Sequence, residues 1–175
     1  MSASVPMITI HSHGTHGAFL AAIAAPILRE RLPTDPTDHS AIRAAFAATD
    51  SILRDRLLEQ IGTDTAIIGP LGVVRYSDDE PATGGLHVSV LWPDSGVLAH
   101  VGGPGHDFDN PAERARFLET DRTLTSNDFV RTADSTQTLF VPPYEAAPTV
   151  IGFSRALGDF HLRRYGLIAI PTIVA

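Results

Sequence analysis

His11, His13 and His16 stand within the run His11-Ser12-His13-Gly14-Thr15-His16-Gly17, the densest group of chemically competent side chains in the chain. The run follows the apolar Met7 to Ile10. If Met7 to His13 is a strand, His11 and His13 share one face, and with His16 they offer nitrogen donors to a single divalent ion such as zinc or iron. No acidic residue is local to complete such a site, and histidines ahead of a glycine turn often cap a helix or hydrogen-bond a loop. Capping is the preferred reading, with metal binding as the lesser alternative.

Other constellations carry weaker chemistry. Asp78-Asp79-Glu80, with Asp94, Asp107 and Asp109 elsewhere, supplies oxygens of the kind a hard cation needs, but adjacent acids diverge and no EF-hand spacing is present. Gly102-Gly103-Pro104-Gly105 lacks the spacing of a phosphate-cradling loop and reads as a turn. In Gly152-Phe153-Ser154-Arg155-Ala156, alanine occupies the second glycine of a nucleophile elbow, and the strand-turn-helix context is missing. Arg155, Arg163 and Arg164 offer positive charge for an anion, yet Asp159 lies between them and structural pairing is the simpler reading.

These residues need elements to position them. Gly17 to Leu32 carries Phe19, Leu20, Ile23, Ile27 and Leu28 on one helical stripe, kinked at Pro26. After a turn at Thr34 to Thr37, Asp38 or Ser40 can cap a second helix whose Ile42, Phe46, Thr49, Leu53 and Leu57 face one side, with Gly62 as its stop. The period then changes to two: Thr65 to Ile68, Val73 to Tyr76, Leu86 to Leu91 and Val97 to Val101 read as strands, the last pair forming an antiparallel hairpin through Pro93 to Gly96. Asn110-Pro111-Ala112-Glu113 places a cap, a first-turn proline and a glutamate for a helix to about Glu119. Asp121 to Thr138 is irregular, and short strands follow at Leu139 to Val141 and Thr149 to Phe153. The expected architecture is α+β with antiparallel pairing, in one domain over 1–175.

Composition removes several function classes. The chain has 175 residues, 43% of them hydrophobic, and no cysteine, so it has no disulfide framework, thiolate zinc site or thiol nucleophile. All 13 basic residues are arginine, which excludes Schiff-base lysine chemistry and the Gly-Lys-Ser/Thr phosphate loop. The net charge of −7 leaves no basic footprint for nucleic acid, and the apolar stretch Gly17 to Leu28 is too short for membrane insertion. Met1 to Pro6 has no basic residue ahead of an apolar run, so the sequence shows no signal peptide, and an intracellular, cytoplasmic location is expected.

Taken together, the motifs resemble the metal-dependent protein phosphatases of the type 2C class. His13-Gly14-Thr15-His16-Gly17-Ala18 is similar to that family's His-Gly-Gly-His-Gly-Ala, and Pro93-Asp94-Ser95-Gly96 falls where it has Gly-Asp-Ser-Arg. Ala45-Phe46-Ala47-Ala48-Thr49-Asp50 and Gly62-Thr63-Asp64-Thr65-Ala66 are similar to its second helix and following strand. His106 to Arg116 is similar to its Asp-His-Lys-Pro-x-Asn-Pro-x-Glu-Arg-x-Arg segment, and Ser154-Arg155-Ala156-Leu157-Gly158-Asp159-Phe160 carries the strongest match. The resemblance implies packed antiparallel sheets flanked by helices, with two manganese or magnesium ions in a carboxylate cleft.

Departures from the pattern matter more. The metal-bridging Asp-Gly of the family aligns with His11-Ser12, the Asp opening its Asp-His-Lys-Pro aligns with Gly105, and its first strand and C-terminal metal-binding Asp motifs have no counterpart here, which implies a fold truncated at both ends. Two dications about 4 Å apart repel strongly and need several carboxylates to offset them. His13, Asp94 and Asp159 are therefore expected to be vestigial. Gly14, Ser154, Arg155, Gly158 and Asp159 are expected to be structural, with no cofactor required. The leading expectation is a pseudophosphatase serving as a structural or protein-binding subunit, with a protein partner or second copy covering open sheet edges. The alternatives are a manganese- or magnesium-dependent phosphatase completed by a partner chain, and a histidine-based metal-binding protein.

Overall fold

The computed structural model describes residues 5–61, 67–68, 74–75, 84–134, 136–143 and 150–175. Ile8 and Ile10 alternate with Thr9 and His11, and the segment forms strand β1 (Met7–His13). Gly14 turns the chain with a positive φ into helix α1 (Gly17–Arg31). Leu20 and Leu28 are buried as expected, joined by Gly17 and Ala24, while Phe19, Ile23 and Ile27 are only half-buried. Small residues let the helix axis approach the sheet, and Phe19 and Ile23 pack against the same core from partly buried positions. The helix continues through Pro26, whose ring is exposed.

Helix α2 (His39–Ile61) matches its pattern more closely. Ile42, Phe46, Thr49, Leu53 and Leu57 are buried as expected, joined by Ala45 and Ile61. Asp38 caps it by accepting from the Ala41 amide at 2.9 Å, and buried Thr49 satisfies its hydroxyl on the Ala45 carbonyl at 2.7 Å. The expected stop at Gly62 lies outside the described residues. Of the next two expected strands only β2 (Ile67–Ile68) and β3 (Val74–Arg75) are described, as an antiparallel pair. Asp78-Asp79-Glu80 also lies outside the described residues.

Strands β4 (Gly85–Trp92) and β5 (Val97–Val101) form the hairpin, and helix α3 (Pro111–Thr120) begins where expected, Asn110 accepting from the Ala112 amide at 3.0 Å. The irregular segment carries one short strand, β6 (Phe129–Val130), paired with β7 (Leu139–Phe140); Ile151 bridges to Phe140. Strands β8 (Leu157–Gly158) and β9 (Thr172–Val174) complete the main sheet. Its order is β1-β4-β5-β9, all antiparallel, with β8 on β4 beyond the end of β5.

Two apolar clusters result. Helices α1 and α2 cover one face of the sheet, burying Leu86, Val88, Val90 and Trp92 completely. Each such side chain contributes about 1.5–3 kcal/mol on burial. Trp92 Nε1 donates to the Pro33 carbonyl at 3.3 Å, so its one polar atom is satisfied. The second cluster gathers Phe108, Phe117, Phe140 and Tyr165 around α3, with Phe108 and Phe117 edge to face at 4.9 Å. Among the described residues no helix is long and apolar enough to cross a membrane.

Candidate functional site

Two of the residues singled out by the sequence, His13 and Asp159, meet at one end of the outer sheet face, opposite the helices. Register sets His13 beside Gly85 and Gly85 beside Gly158, so β1, β4 and β8 converge there. Gly158 and Asp159 both have positive φ, 79° and 45°, and Asp159 is the one non-glycine residue of that kind among the described residues. Asp159 tolerates this left-handed geometry at a cost of about 1 kcal/mol. The turn is held by the Asp159 amide on the Gly84 carbonyl at 2.7 Å and the Gly158 amide on Asp50 at 2.8 Å.

This turn aims a 3%-exposed carboxylate at the imidazole: His13 Nε2 lies 2.6 Å from Asp159 Oδ2. Gly85 makes the contact possible, because a Cβ there would lie 1.9 Å from Asp159 Oδ2 and 2.6 Å from His13 Nε2. His13 packs against His87 at 5.0 Å and Phe153 at 4.9 Å. Such an oriented imidazole can hold or pass a proton.

His87, His100 and His106 extend the face; the sequence placed His106 only as the start of a matched segment and did not single out His87 or His100. His87 lies opposite His11 across the β1–β4 ladder, while His100 stacks on His106 at 4.7 Å. His106 Nε2 shares a 2.6 Å hydrogen bond with Thr172, tying β9 to the loop before α3. Burial, then the charge of His13, pushes the His87 pKa down to about 4. Burial, then Arg155, does the same for His106, to about 4, and lowers His100. His87 Nε2, His100 Nδ1 and His106 Nδ1 are buried without hydrogen-bond partners among the described residues. A cavity of about 320 Å³ lies between His87, the Gly102-Gly103 turn, His106, Gln137 and Phe153. Counting ranks across the predicted hairpin would have set His100 beside Ser89 on the face of His87, but the pairing of His87 with His11 needs the β1–β4 register, which the sequence does not contain.

The arginines are committed elsewhere, and not to Asp159 as the sequence suggested. Arg155 bonds the buried Glu113 through Nε at 3.1 Å, Arg116 adds a 2.7 Å contact, and Ser154 donates to the same carboxylate at 2.5 Å. Burial works against this carboxylate's charge, but the bonds from Arg155, Arg116 and Ser154 outweigh it and hold Glu113 down to about 2. Glu113 therefore locks α3 to the Ser154-Arg155 segment instead of closing a capping box. Arg163 pairs with Asp50 at 2.8 Å, and Arg164 lies over the Tyr165 ring at 5.1 Å.

The remaining candidates do not gather. His11 is exposed on β1, His16 is the N-cap residue of α1, Asp94 is exposed in the β4–β5 turn, and Gly105 is exposed before α3. Among the described residues no group of three or more histidine, aspartate and glutamate side chains is placed to hold a metal ion. A manganese or magnesium pair requires converging oxygens. Asp159, the carboxylate nearest His13, is buried and already bonded to it. The described donor set does not fit a pair of such ions.

No protein-family model matches the chain, and no curated protein sequence matches it. The crystal structure of a serine-threonine phosphatase 2C from Toxoplasma gondii matches with a TM-score of 0.56 at 16% identity. The match covers 97% of this chain and 63% of that one. The arrangement of helices and antiparallel strands is thus that of a type 2C phosphatase-like fold.

Proposed function

We propose that this chain is a pseudophosphatase: a type 2C phosphatase-like fold, intracellular, that serves as a structural or protein-binding subunit instead of catalysing phosphate hydrolysis. The observation that carries the reading is the donor set around His13. An exposed imidazole, His11, stands where the resembled family places its metal-bridging aspartate, a glycine, Gly105, stands where that family's Asp-His-Lys-Pro motif opens, and Asp159 is sequestered against His13. An oriented proton carrier without an activated water has no nucleophile to assist. The Glu113 network and the Gly158 amide on Asp50 support a structural role for the matched Ser154 to Asp159 motif, because Ser154, Arg155 and Gly158 are each bonded to another part of the fold. The test is hydrolysis of p-nitrophenyl phosphate with manganese. The expected result is no release above a protein-free blank, and metal-dependent turnover lost in His13→Ala would overturn the reading.

A second reading is an active manganese- or magnesium-dependent phosphatase completed by another polypeptide. Two observations favour it: the intact His13–Asp159 pair, and a match spanning only 63% of the neighbouring phosphatase chain. Turnover that appears only when a co-purified partner is added back would select it over the first.

A further inference from the structure

We propose that the cavity beside His87 and His106 binds a small organic cation with planar N–H donors, a guanidinium or an amidinium. Its volume of about 320 Å³ suits a small ligand, and Leu139 and Phe153 supply apolar wall. Both imidazoles line it, and His87 Nε2 and His106 Nδ1 are buried without a hydrogen-bond partner among the described residues. His106 is only 3% exposed. A buried nitrogen left unbonded costs stability, and a donor carried by a ligand removes that cost. Because His106 Nε2 is tied to Thr172 at 2.6 Å, Nδ1 is the nitrogen left for a ligand, and it accepts when Nε2–H donates to the threonine.

Charge selects a cation. Asp107 is the one carboxylate among the lining residues; its Oδ1 accepts from the Asp109 and Asn110 amides at 3.0 and 3.2 Å, which leaves Oδ2 for a donor. No arginine lines the cavity and the chain has no lysine, so an anion would meet no counter-charge. Arg155, whose charge is felt at His106, is offset by its pairing with Glu113. Held down to about 4, chiefly by burial, His87 and His106 are uncharged at neutral pH and do not repel a cation. A planar cation with several N–H groups therefore meets a carboxylate oxygen and two imidazole nitrogens that can accept, whereas a hard metal ion needs more oxygens than one carboxylate supplies.

The test is titration of the isotope-labelled full chain, followed by amide NMR, with methylguanidinium, N-acetylarginine amide, the uncharged isostere methylurea, and acetate. Saturable shifts at the lining Gly102, Gly103 and Gly152 are expected with the two cations and not with methylurea or acetate. Asp107→Asn keeps an oxygen for the Asp109 and Asn110 amides but removes the charge, so it should weaken cation binding by about 10-fold or more while circular dichroism stays unchanged. Tighter binding of N-acetylarginine amide than of methylguanidinium would assign the site to an arginine of a partner, and the reverse to a free small molecule. Absence of saturable shifts with both cations, methylurea or acetate binding as tightly as they do, or Asp107→Asn binding them as tightly as wild type would overturn the proposal. The non-catalytic reading is independent of these results and fails instead on manganese-dependent turnover.

Discussion

On strand β4, Leu86, Val88, Val90 and Trp92 are fully buried under α1 and α2, while the alternate residues His87, Ser89 and Leu91 run from half-buried to exposed on the other face. Cross-strand rows make the contrast sharper. The outer face carries an apolar row Met7, Leu91, Leu98 and Val174, a polar row Thr9, Ser89, His100 and Thr172, and then His11 with His87. The helix side rests on apolar area, which is indifferent to pH and to partner identity. Stability on the outer side depends on specific polar pairings, and His87, His100 and His106 keep nitrogens without partners among the described residues.

The comparison can be broken most strongly from the helix side. Phe46→Ala removes a fully buried ring from the middle of that core and should cost about 3–5 kcal/mol in denaturant unfolding, without altering the acid dependence of stability. A loss under 1 kcal/mol would mean that the helices contribute far less than their burial indicates.

Behind the outer face, Glu113→Gln leaves Arg155 and Arg116 without their shared counter-charge and should cost about 3 kcal/mol at neutral pH. Glu113→Asp, which keeps the charge, should cost less. Equal losses for the two variants would mean that shape, and not charge, holds α3 to the Ser154-Arg155 segment.

Acid sharpens the contrast with a smaller effect. His87 and His106 titrate at about 4 in the fold against an ordinary 6.5, so the unfolded chain binds protons first. Their stabilising contribution is complete above pH 6.5 and is lost as pH falls toward 4, on the order of 1–3 kcal/mol for each imidazole. Glu113, at about 2 against an ordinary 4.5, adds a second branch: its contribution is present above pH 4.5 and is lost as pH falls toward 2. Chemical denaturation across this range should show both branches. His87→Phe should remove about half of the upper one, leaving the His106 share, and Glu113→Gln should remove the lower. A flat profile between pH 6.5 and 4 would refute the picture of uncharged imidazoles in this seam.

Much of the helix side could be read from residue order. The helical series Ile42, Phe46, Thr49, Leu53 and Leu57, spaced by three or four, the Asn110-Pro111 helix start and the β4–β5 hairpin each depend on neighbours within a few residues, and each appears as read. Helix α1 departed from its reading because the closeness of the sheet, which local spacing does not contain, favoured Gly17 and Ala24 over Phe19 and Ile23. The candidate site was legible in its parts and not in its pairings. His13, Arg155 and Asp159 were visible, but Asp159 bonds His13 across 146 residues and Arg155 bonds Glu113 across 42.

The sequence by itself determined which chemistries are absent, where the amphipathic helices and hairpin lie, and that His11 and His13 share a face, because composition and periodicity are local properties. Only the tertiary structure decided that Asp159 belongs to His13, that Glu113 joins two arginines and a serine, and that His87, His100 and His106 meet in one seam. The His13–Asp159 pairing follows from the strand register and the left-handed turn at Gly158 and Asp159, and the Glu113 pairing from α3 packing beside the Ser154-Arg155 segment; each brings distant residues within hydrogen-bond reach.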